Sequence, residues 1–268
     1  MKVVKNFHTH CSFCDGKNTP EEMILAAISS GFTTLGFSSH AMLPLCENGT
    51  LDENTIYDYI KEIRSLGEKY KDKIEILCGV EADYIENFTT PDKSYYKKFD
   101  LDYIIGSVHF VSTPDFSTYI SCDTSIDALQ EGIKRFFDGS VEKYLRAYFA
   151  AVRKMAASFE FDIIGHPDLP WKFNEKFPYF DPCSSWYKDE LILTADAIAE
   201  SGKITEINTG AISRGWLKEP YPLPDLRALL IERKVPLILS SDAHASSGID
   251  CAFDRFAHLA TVFDWRKQ

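Results

Sequence analysis

The sequence predicts an α/β protein in which parallel strands alternate with helices. Short apolar runs alternate with longer amphipathic segments along the whole chain, and no repeat, low-complexity segment or polar linker divides it. With 268 residues and 45% hydrophobic content, the chain can bury a sizeable core, and we expect a single domain spanning residues 1–268. Such a pattern fits either an open doubly wound sheet or a closed barrel, and it does not separate the two.

Seven segments have the composition of buried strands. Each is a short run rich in β-branched and aromatic residues, bounded by turn residues or by a helical pattern. They lie at residues 3–7, 33–39, 74–80, 102–108, 161–165, 203–208 and 235–241.

Six segments have helical periodicity, and we expect the last of them to cover the final strand. Thr19, Pro20 and Glu22 form a helix start signal, and Gly31 and Gly202 are typical helix ends. The predicted helices lie at residues 20–30, 52–70, 141–158, 186–201, 223–234 and 249–263.

Two connections, 110–140 and 169–184, are longer than a usual loop between a strand and a helix. Long loops at one end of an α/β fold usually form a pocket, so we expect both to contribute to one.

Composition narrows the classes of partner. The net charge of −11 and the isoelectric point near 5.1 disfavour binding to the phosphate backbone of nucleic acids, so no nucleic-acid partner is expected. No apolar window has the length of a membrane span or a signal peptide, and the seven cysteines show no disulfide framework. These features predict a cytoplasmic protein with no membrane partner.

Cys11 and Cys14 form a C-x-x-C pair, which could be a redox pair or half of a zinc site. No second C-x-x-C exists, and the first helix begins only at Thr19. We therefore expect both cysteines to be packing residues.

Side chains that can bind metals follow almost every predicted strand. In the stretch "NFHTHCSFCDG", two histidines stand two residues apart at a strand end, so their rings project from the same face. Parallel strands bring their carboxyl ends to one rim. Nine candidate ligands should meet there, namely His8, His10, Asp15, His40, Glu81, His109, His166, Asp242 and His244.

Nine ligands suit two or three metal ions, because each transition-metal ion takes three or four protein ligands. Imidazole with carboxylate favours zinc, iron or manganese over calcium or magnesium. His258, in the last predicted helix, breaks the strand-end pattern and is expected to be an ordinary packing or surface residue.

The motifs "HTH…D", "SSH", "GVEAD…GSVH", "GHPD" and "SDAH" resemble, in order and spacing, those of the polymerase and histidinol phosphatase (PHP) superfamily. The resemblance implies a distorted, TIM-like (β/α)7 barrel with three divalent metal ions at the C-terminal face of its strands. It further implies three ligand sets: His8, His10, Glu81 and Asp242; Glu81, His109 and His166; Asp15, His40 and His244.

Two further segments, "DYIIGSVHFV" and "INTGAISRGWLKEPYPLPDL", resemble the histidinol-phosphatase subfamily, which also carries a long insertion between the fourth and fifth strands. The resemblance implies hydrolysis of a small phosphate ester, L-histidinol phosphate, in histidine biosynthesis. A phosphate dianion needs a cation beyond the metals, and we expect Arg214 to provide a bidentate contact rather than to be a surface arginine. Arg146 and Arg153 are expected to be solvated or paired, and the leaving group could contact Phe110, Tyr179 or Trp216.

The mechanism that we expect is in-line attack on phosphorus by a hydroxide held between the first two ions, with Arg214 neutralising the phosphoryl oxygens. Either Asp242 or His244 would protonate the leaving alkoxide. Two alternatives are a PHP-type phosphodiesterase or exonuclease acting on nucleotides, and a non-catalytic metal-binding scaffold.

Overall fold

The computed structural model describes residues 5–43, 49–262 and 264–267. Nine strands lie in these ranges, and all seven strands predicted from the sequence are among them. The first was predicted at residues 3–7, of which residues 3 and 4 lie outside the described ranges. The strands are β1 Lys5–Asn6, β2 Thr34–His40, β3 Glu75–Asp83, β4 Tyr103–Ser107, β5 Phe110–Ser112, β6 Tyr119–Ser121, β7 Ile163–Ile164, β8 Ile204–Asn208 and β9 Leu237–Ser240.

Seven of these strands form one parallel sheet, in the order β1, β2, β3, β4, β7, β8, β9. The first and last members meet through a parallel bridge between Thr9 and Ala243, where the His10 amide donates to the Ala243 carbonyl at 2.9 Å. Nearby, the Asn6 side-chain amide donates to the Ser241 hydroxyl at 2.7 Å. The sheet is therefore a nearly closed (β/α)7 barrel rather than an open sheet, and β5 and β6 form a separate antiparallel hairpin.

The helices surround the barrel, and five predicted ones are confirmed, at α1 Pro20–Ser29, α2 Thr55–Tyr70, α5 Val141–Ser158, α7 Ser185–Ser201 and α9 Pro224–Glu232. The start of α1 has the expected capping box of Thr19 and Glu22. In the described ranges, the helices are α1 Pro20–Ser29, α2 Thr55–Tyr70, α3 Lys93–Tyr96, α4 Ile126–Phe136, α5 Val141–Ser158, α6 Trp171–Asn174, α7 Ser185–Ser201, α8 Gly210–Ser213, α9 Pro224–Glu232 and α10 Phe253–Phe256.

The prediction of one continuous helix over residues 249–263 was wrong; residue 263 itself lies outside the described ranges. Only α10 and a short 3-10 turn, Ala257–Leu259, are helical in this segment. Ala252 has a left-handed backbone (φ 59°), and Thr261 turns to donate its amide to the Leu237 carbonyl at 2.9 Å. Pairing with the start of β9 replaces the helix. His258, on the 3-10 turn, is exposed, as expected.

The barrel interior is filled by apolar side chains, several of them from the first residues of the strands: Phe7, Leu77, Tyr103, Ile105, Ile163, Ile204 and Ile238. The Tyr103 hydroxyl donates to the Phe7 carbonyl at 2.6 Å. A Cβ at Gly36 or Gly79 would lie 2.4 or 2.6 Å from the Tyr103 side chain, so only glycine leaves room for this ring. This packing closes the amino-terminal end of the barrel, and the opposite end is left for polar groups.

Within the described residues, no helix is both long enough and apolar enough to cross a membrane.

Candidate active site

All nine candidate ligands predicted from the sequence lie together at the carboxyl ends of the strands. Glu81 is at their centre and is almost fully buried. Its Oε2 atom lies 3.2 Å from His8 Nε2 and 3.4 Å from His10 Nε2. Its Oε1 atom lies 3.0 Å from His166 Nε2 and 3.6 Å from His109 Nε2. One carboxylate thus faces a separate pair of imidazoles with each oxygen, and His40 Nδ1 lies 3.2 Å from Oε2 as well.

The first pair of imidazoles meets a second carboxylate. His8 Nε2 and His10 Nε2 are 3.1 Å apart, and Asp242 Oδ1 lies 3.4 Å from His10 Nε2 and 3.8 Å from His8 Nε2. Around a tetrahedral zinc ion with bonds of ~2.0–2.1 Å, neighbouring ligand atoms are ~3.3 Å apart. These three residues therefore have the spacing of ligands to one metal ion, and Glu81 Oε2 lies within 3.4 Å of both imidazoles.

The remaining ligands form a group nearer to solvent. Asp15 Oδ2 lies 3.2 Å from His244 Nε2, and Asp15 Oδ1 lies 3.7 Å from His40 Nε2. The rings of His10 and His244 stack with centroids 4.0 Å apart. Among the residues that the structure describes, four overlapping groups of side chains could hold a metal ion: His8, His10 and Asp242; Glu81, His109 and His166; His10, Asp15, His40 and His244; His40, Asp83 and His109.

Two observations indicate that cations fit these groups. Glu81 Oε2 is buried and accepts no hydrogen bond from the described residues, although three imidazole nitrogens lie close to it. Burial opposes protonation of His8, yet the carboxylates of Glu206, Glu81 and Asp242 raise its pKa to about 10. A divalent cation would neutralise the same negative charge, and metal binding would release that proton.

Two carboxylates that sequence reasoning missed hold the histidines from behind. Glu206 Oε2 lies 2.8 Å from His8 Nδ1, and Asp83 Oδ1 lies 3.0 Å from His109 Nδ1. Such contacts fix the ring so that Nε2 points to the metal. Asp83 stands two residues after Glu81 in "GVEAD", so its position at a strand end was a usable signal. Glu206 lies within a predicted strand, where nothing in the sequence pairs it with His8.

Arg214 lies in the site and is not a free surface arginine. Its Nη2 donates to Asp242 Oδ2 at 2.9 Å and its Nη1 to the Asp242 carbonyl at 2.9 Å, while Nη1 lies 3.1 Å from His244 Nδ1. Although burial opposes it, this guanidinium holds the pKa of Asp242 well below its usual range. A Cβ at Gly210 would lie 2.6 Å from Asp242 Oδ2, so the loop can pass this close only with glycine.

Above these residues lies a cavity of about 350 Å³. Both long connections contribute to it, as expected: the first supplies Phe110, Ser121, Asp123 and Thr124, and the second supplies Leu169 and Lys172. Lys172 is a cation that sequence reasoning missed, because it lies in a short helix, α6, that was not predicted. Of the three aromatic residues expected to contact a leaving group, Phe110 lines this cavity.

Tyr179 and Trp216 are not among the residues lining that cavity. The Tyr179 hydroxyl donates to the Pro170 carbonyl, and the Trp216 ring packs against Phe173. As expected, Arg146 and Arg153 are paired, both with Glu190.

The two cysteines of the C-x-x-C pair differ in their surroundings. Cys11 is fully buried in the hydrophobic core, as expected of a packing residue. Cys14 lies at the site, where its Sγ is 3.5 Å from His10 Nδ1.

A seven-stranded barrel with clustered imidazoles and carboxylates at the carboxyl ends of its strands defines a class of protein, the metal-dependent α/β barrels. Comparison with known protein families identifies the family within this class. The PHP domain matches residues 6–210, and the chain belongs to this family.

Two relatives agree with the family. A "Probable histidinol-phosphatase" of Deinococcus radiodurans is 29% identical over 252 residues, covering 92% of this chain and 88% of the relative. The "Probable histidinol-phosphatase" of Schizosaccharomyces pombe is 31% identical, covering 96% of this chain and 84% of the relative.

Two crystal structures share the fold. One, from Listeria monocytogenes, has a TM-score of 0.83 at 23% identity, covering 94% of this chain and 99% of the other. The other is the histidinol phosphate phosphatase of Lactococcus lactis, in complex with zinc, L-histidinol and phosphate. It has a TM-score of 0.70 at 21% identity, covering 96% of this chain and 92% of the other.

Proposed function

We propose that this protein is a metal-dependent phosphomonoesterase that hydrolyses L-histidinol phosphate to L-histidinol and phosphate. The observation that carries the proposal is the position of Glu81, whose two oxygens face separate imidazole pairs at the floor of the cavity. The names of the relatives, which match more than nine-tenths of the chain, support the substrate.

We further propose three metal ions and one ligand set for each. The first is held by His8, His10, Glu81 and Asp242, the second by Glu81, His109 and His166, and the third by Asp15, His40 and His244. Zinc, manganese and iron all suit these ligands, and the zinc in the Lactococcus lactis structure favours zinc. When bound, the ions supply Lewis acidity, which activates water near neutral pH and polarises the phosphoryl oxygens.

The residues of the chain bind the substrate phosphate and orient the ligands. Arg214 and Lys172 both line the cavity, and we assign to them the phosphoryl oxygens that the metals do not reach. Glu206 and Asp83 keep His8 and His109 in the tautomer that presents Nε2.

The proton donor to the leaving alkoxide, expected to be Asp242 or His244, stays a prediction. Arg214 favours the ionised form of Asp242 despite burial. Burial and the neighbouring His10 lower the pKa of His244. The surroundings of both residues favour the deprotonated form. Either residue could therefore donate a proton only if the bound substrate raised its pKa.

The experiment that tests the function is steady-state phosphate release by chelator-treated protein resupplied with zinc, manganese or iron. The substrates are L-histidinol phosphate, p-nitrophenyl phosphate and a short single-stranded oligonucleotide. We expect no turnover without metal and a strong preference for L-histidinol phosphate. Cleavage of the oligonucleotide alone would favour the phosphodiesterase alternative, and metal binding without any turnover would favour the scaffold.

Three expectations from the sequence stay predictions: a single domain over residues 1–268, a cytoplasmic location and the lack of a nucleic-acid partner. The charge of −11 supports the last of these.

A further inference from the structure

Four carboxylates line the cavity, and one of them differs from the others. Asp15 and Asp242 face imidazoles of the candidate metal groups, and Asp83 is paired with His109. Asp123, which follows β6 in the first long connection, has Ser121 and Lys172 as its side-chain partners. Among the described residues, it is the carboxylate of the cavity wall whose hydrogen bonds and ion pair are not made with a candidate metal ligand.

We infer that Asp123 binds the ammonium group of the substrate and thereby selects amino-alcohol phosphates over other phosphate esters. This inference rests on the proposed function and adds to it a residue that determines specificity.

The carboxylate of Asp123 has room for another donor. Its Oδ1 accepts from the Ser121 hydroxyl at 3.3 Å and its Oδ2 from Lys172 Nζ at 3.2 Å, both long contacts for their type. The short contact of Lys172 is to the main-chain carbonyl of Asp123, at 2.6 Å. An ionised carboxylate offers about four acceptor positions, so it can take an ammonium as well.

Asp123 is ionised in this setting. Burial raises its pKa, but the Lys172 ammonium and the imidazoles of His109 and His166 lower it below the ordinary value overall. Burial opposes the charge of Arg214, but its pKa is raised, mainly by Asp242 and in smaller part by Asp123, and Arg214 lines the same cavity as Asp123. Asp123 is therefore within electrostatic reach of both ends of the candidate phosphate site.

The structure of the substrate requires the ammonium site and the phosphate site to lie close together. In L-histidinol phosphate, two carbons and one oxygen separate the amine nitrogen from phosphorus. A carboxylate that binds the ammonium must then lie next to the groups that bind the phosphate. Asp123 meets this condition through Lys172, which contacts it directly and lines the same cavity.

The test compares two substrates that differ only in the amine: L-histidinol phosphate and 3-(imidazol-4-yl)propyl phosphate. The quantity measured is the kcat/KM for L-histidinol phosphate divided by the kcat/KM for the substrate without the amine. Metal content is determined for each protein. We expect Asp123→Asn to lower the ratio by about 10- to 100-fold, mainly through the KM of the amine substrate, because a hydrogen bond to a charged group is lost. Asp123→Glu should restore part of the preference.

The matched control is Asp115→Asn, which removes an exposed carboxylate from the turn between β5 and β6 and should leave the ratio unchanged. If wild-type protein hydrolyses the amine substrate but Asp123→Asn keeps the wild-type ratio, or loses both substrates equally at full metal content, the inference fails while the proposed function stands. Equal kcat/KM values of the wild-type enzyme for the two substrates would overturn the inference alone, whereas a wild-type enzyme that does not hydrolyse L-histidinol phosphate would overturn both.

Discussion

At the scale of single residues, Glu81 is the side chain on which most of the proposed chemistry depends. Replacing it with glutamine keeps its size but removes the negative charge that both imidazole pairs face. We expect Glu81→Gln to lose at least one equivalent of bound metal and to lower kcat by more than about 100-fold. Metal analysis and phosphate release on the same protein sample measure both effects.

The control for this variant is Glu86→Gln. Glu86 lies just beyond the same strand, β3, and pairs with Lys154 on the protein surface. It should keep metal and activity at the wild-type level. A fully active Glu81→Gln protein with its full metal content would contradict the assignment of Glu81 to both the first and the second ion.

Arg214 should affect substrate binding more than metal binding. Its Nη2 contacts Asp242 Oδ2, whereas Asp242 Oδ1 is the oxygen that faces His8 and His10. We expect Arg214→Ala to keep the metal and to lower kcat/KM by about 100- to 1,000-fold, the cost of losing one donor to the phosphoryl oxygens. The control is Arg146→Ala, which removes an arginine that lies outside the cavity and pairs with Glu190. It should leave kcat/KM unchanged. Wild-type kinetics for Arg214→Ala would refute the role.

The residues of the site differ in how far they could be predicted. The strand-end histidines and carboxylates were found because parallel strands bring their carboxyl ends together, which needs only strand positions. Glu206 was not found, because its contact with His8 joins residues 198 positions apart. Periodicity in the sequence gives a side chain's face but not its partner on another strand.

At the scale of elements, α5 and α7 are joined by one buried carboxylate. Glu190 of α7 accepts from Arg146 at 2.7 Å and from Arg153 at 2.6 Å, and only 4% of its surface is exposed. Glu190→Gln removes the counter-charge of Arg153 and leaves Arg146 with Glu142 as its carboxylate partner. We expect it to lower the free energy of unfolding by about 1–3 kcal/mol in urea titrations, without changing metal content.

The matched control removes the other carboxylate that contacts Arg146. Glu142 lies one turn before Arg146 on α5, with 46% of its side chain exposed. Exposed pairs of this kind contribute ~0.3–0.5 kcal/mol, so Glu142→Gln should be nearly neutral. Equal losses for both variants would show that burial of Glu190 does not matter.

Elements with a strong local signal were predicted well, and the others were not. The capping box of α1 and the long apolar face of α5 are each formed by residues of one short segment, so the sequence of that segment alone predicts the helix. Residues 249–263 have helical periodicity, but beyond the 3-10 turn Ala257–Leu259 the Thr261 amide donates to the Leu237 carbonyl instead of continuing a helix. Tertiary pairing of this kind overrides local preference, and no local pattern reports it.

At the scale of the whole molecule, the alternation of apolar runs and helical segments left an open sheet and a barrel equally possible. Both have the same alternation of strands and helices, and they differ only in whether the first and last strands meet. Here the contact is the bridge between Thr9 and Ala243, supported by Asn6 and Ser241. The family resemblance implied the barrel, whereas the hydrophobic pattern did not.

The carboxyl-terminal segment covers the amino-terminal end of this barrel. The Trp265 ring lies 5.8 Å from that of Tyr103, and Arg266 contacts Glu75 at the start of β3. Asp264, which is 6% exposed, accepts from Lys5 of β1 at 2.7 Å and from Arg266 at 3.0 Å. The contacts of one aspartate therefore join the last segment to the first strand.

Removing the Asp264 charge should make stability less sensitive to acid. Burial opposes it, but Arg266 and Lys5 lower the pKa of this carboxyl in the folded protein. Its contribution is therefore complete above the unfolded pKa of ~3.9 and is lost as the pH falls from there towards the folded pKa. We expect Asp264→Asn to cost about 1–2 kcal/mol at pH 7 in urea unfolding, with a smaller difference from wild type at pH 3.

The control, Asp254→Asn, changes an exposed carboxylate in α10 and should stay within about 0.5 kcal/mol of wild type at both pH values. A difference between Asp264→Asn and wild type that is constant from pH 7 to pH 3 would mean that Asp264 acts by packing. Because the segment lies opposite the metal ligands, the kcat of Asp264→Asn on a phosphate ester should equal that of wild type wherever both are folded. A lowered kcat would show that the two ends of the barrel are coupled.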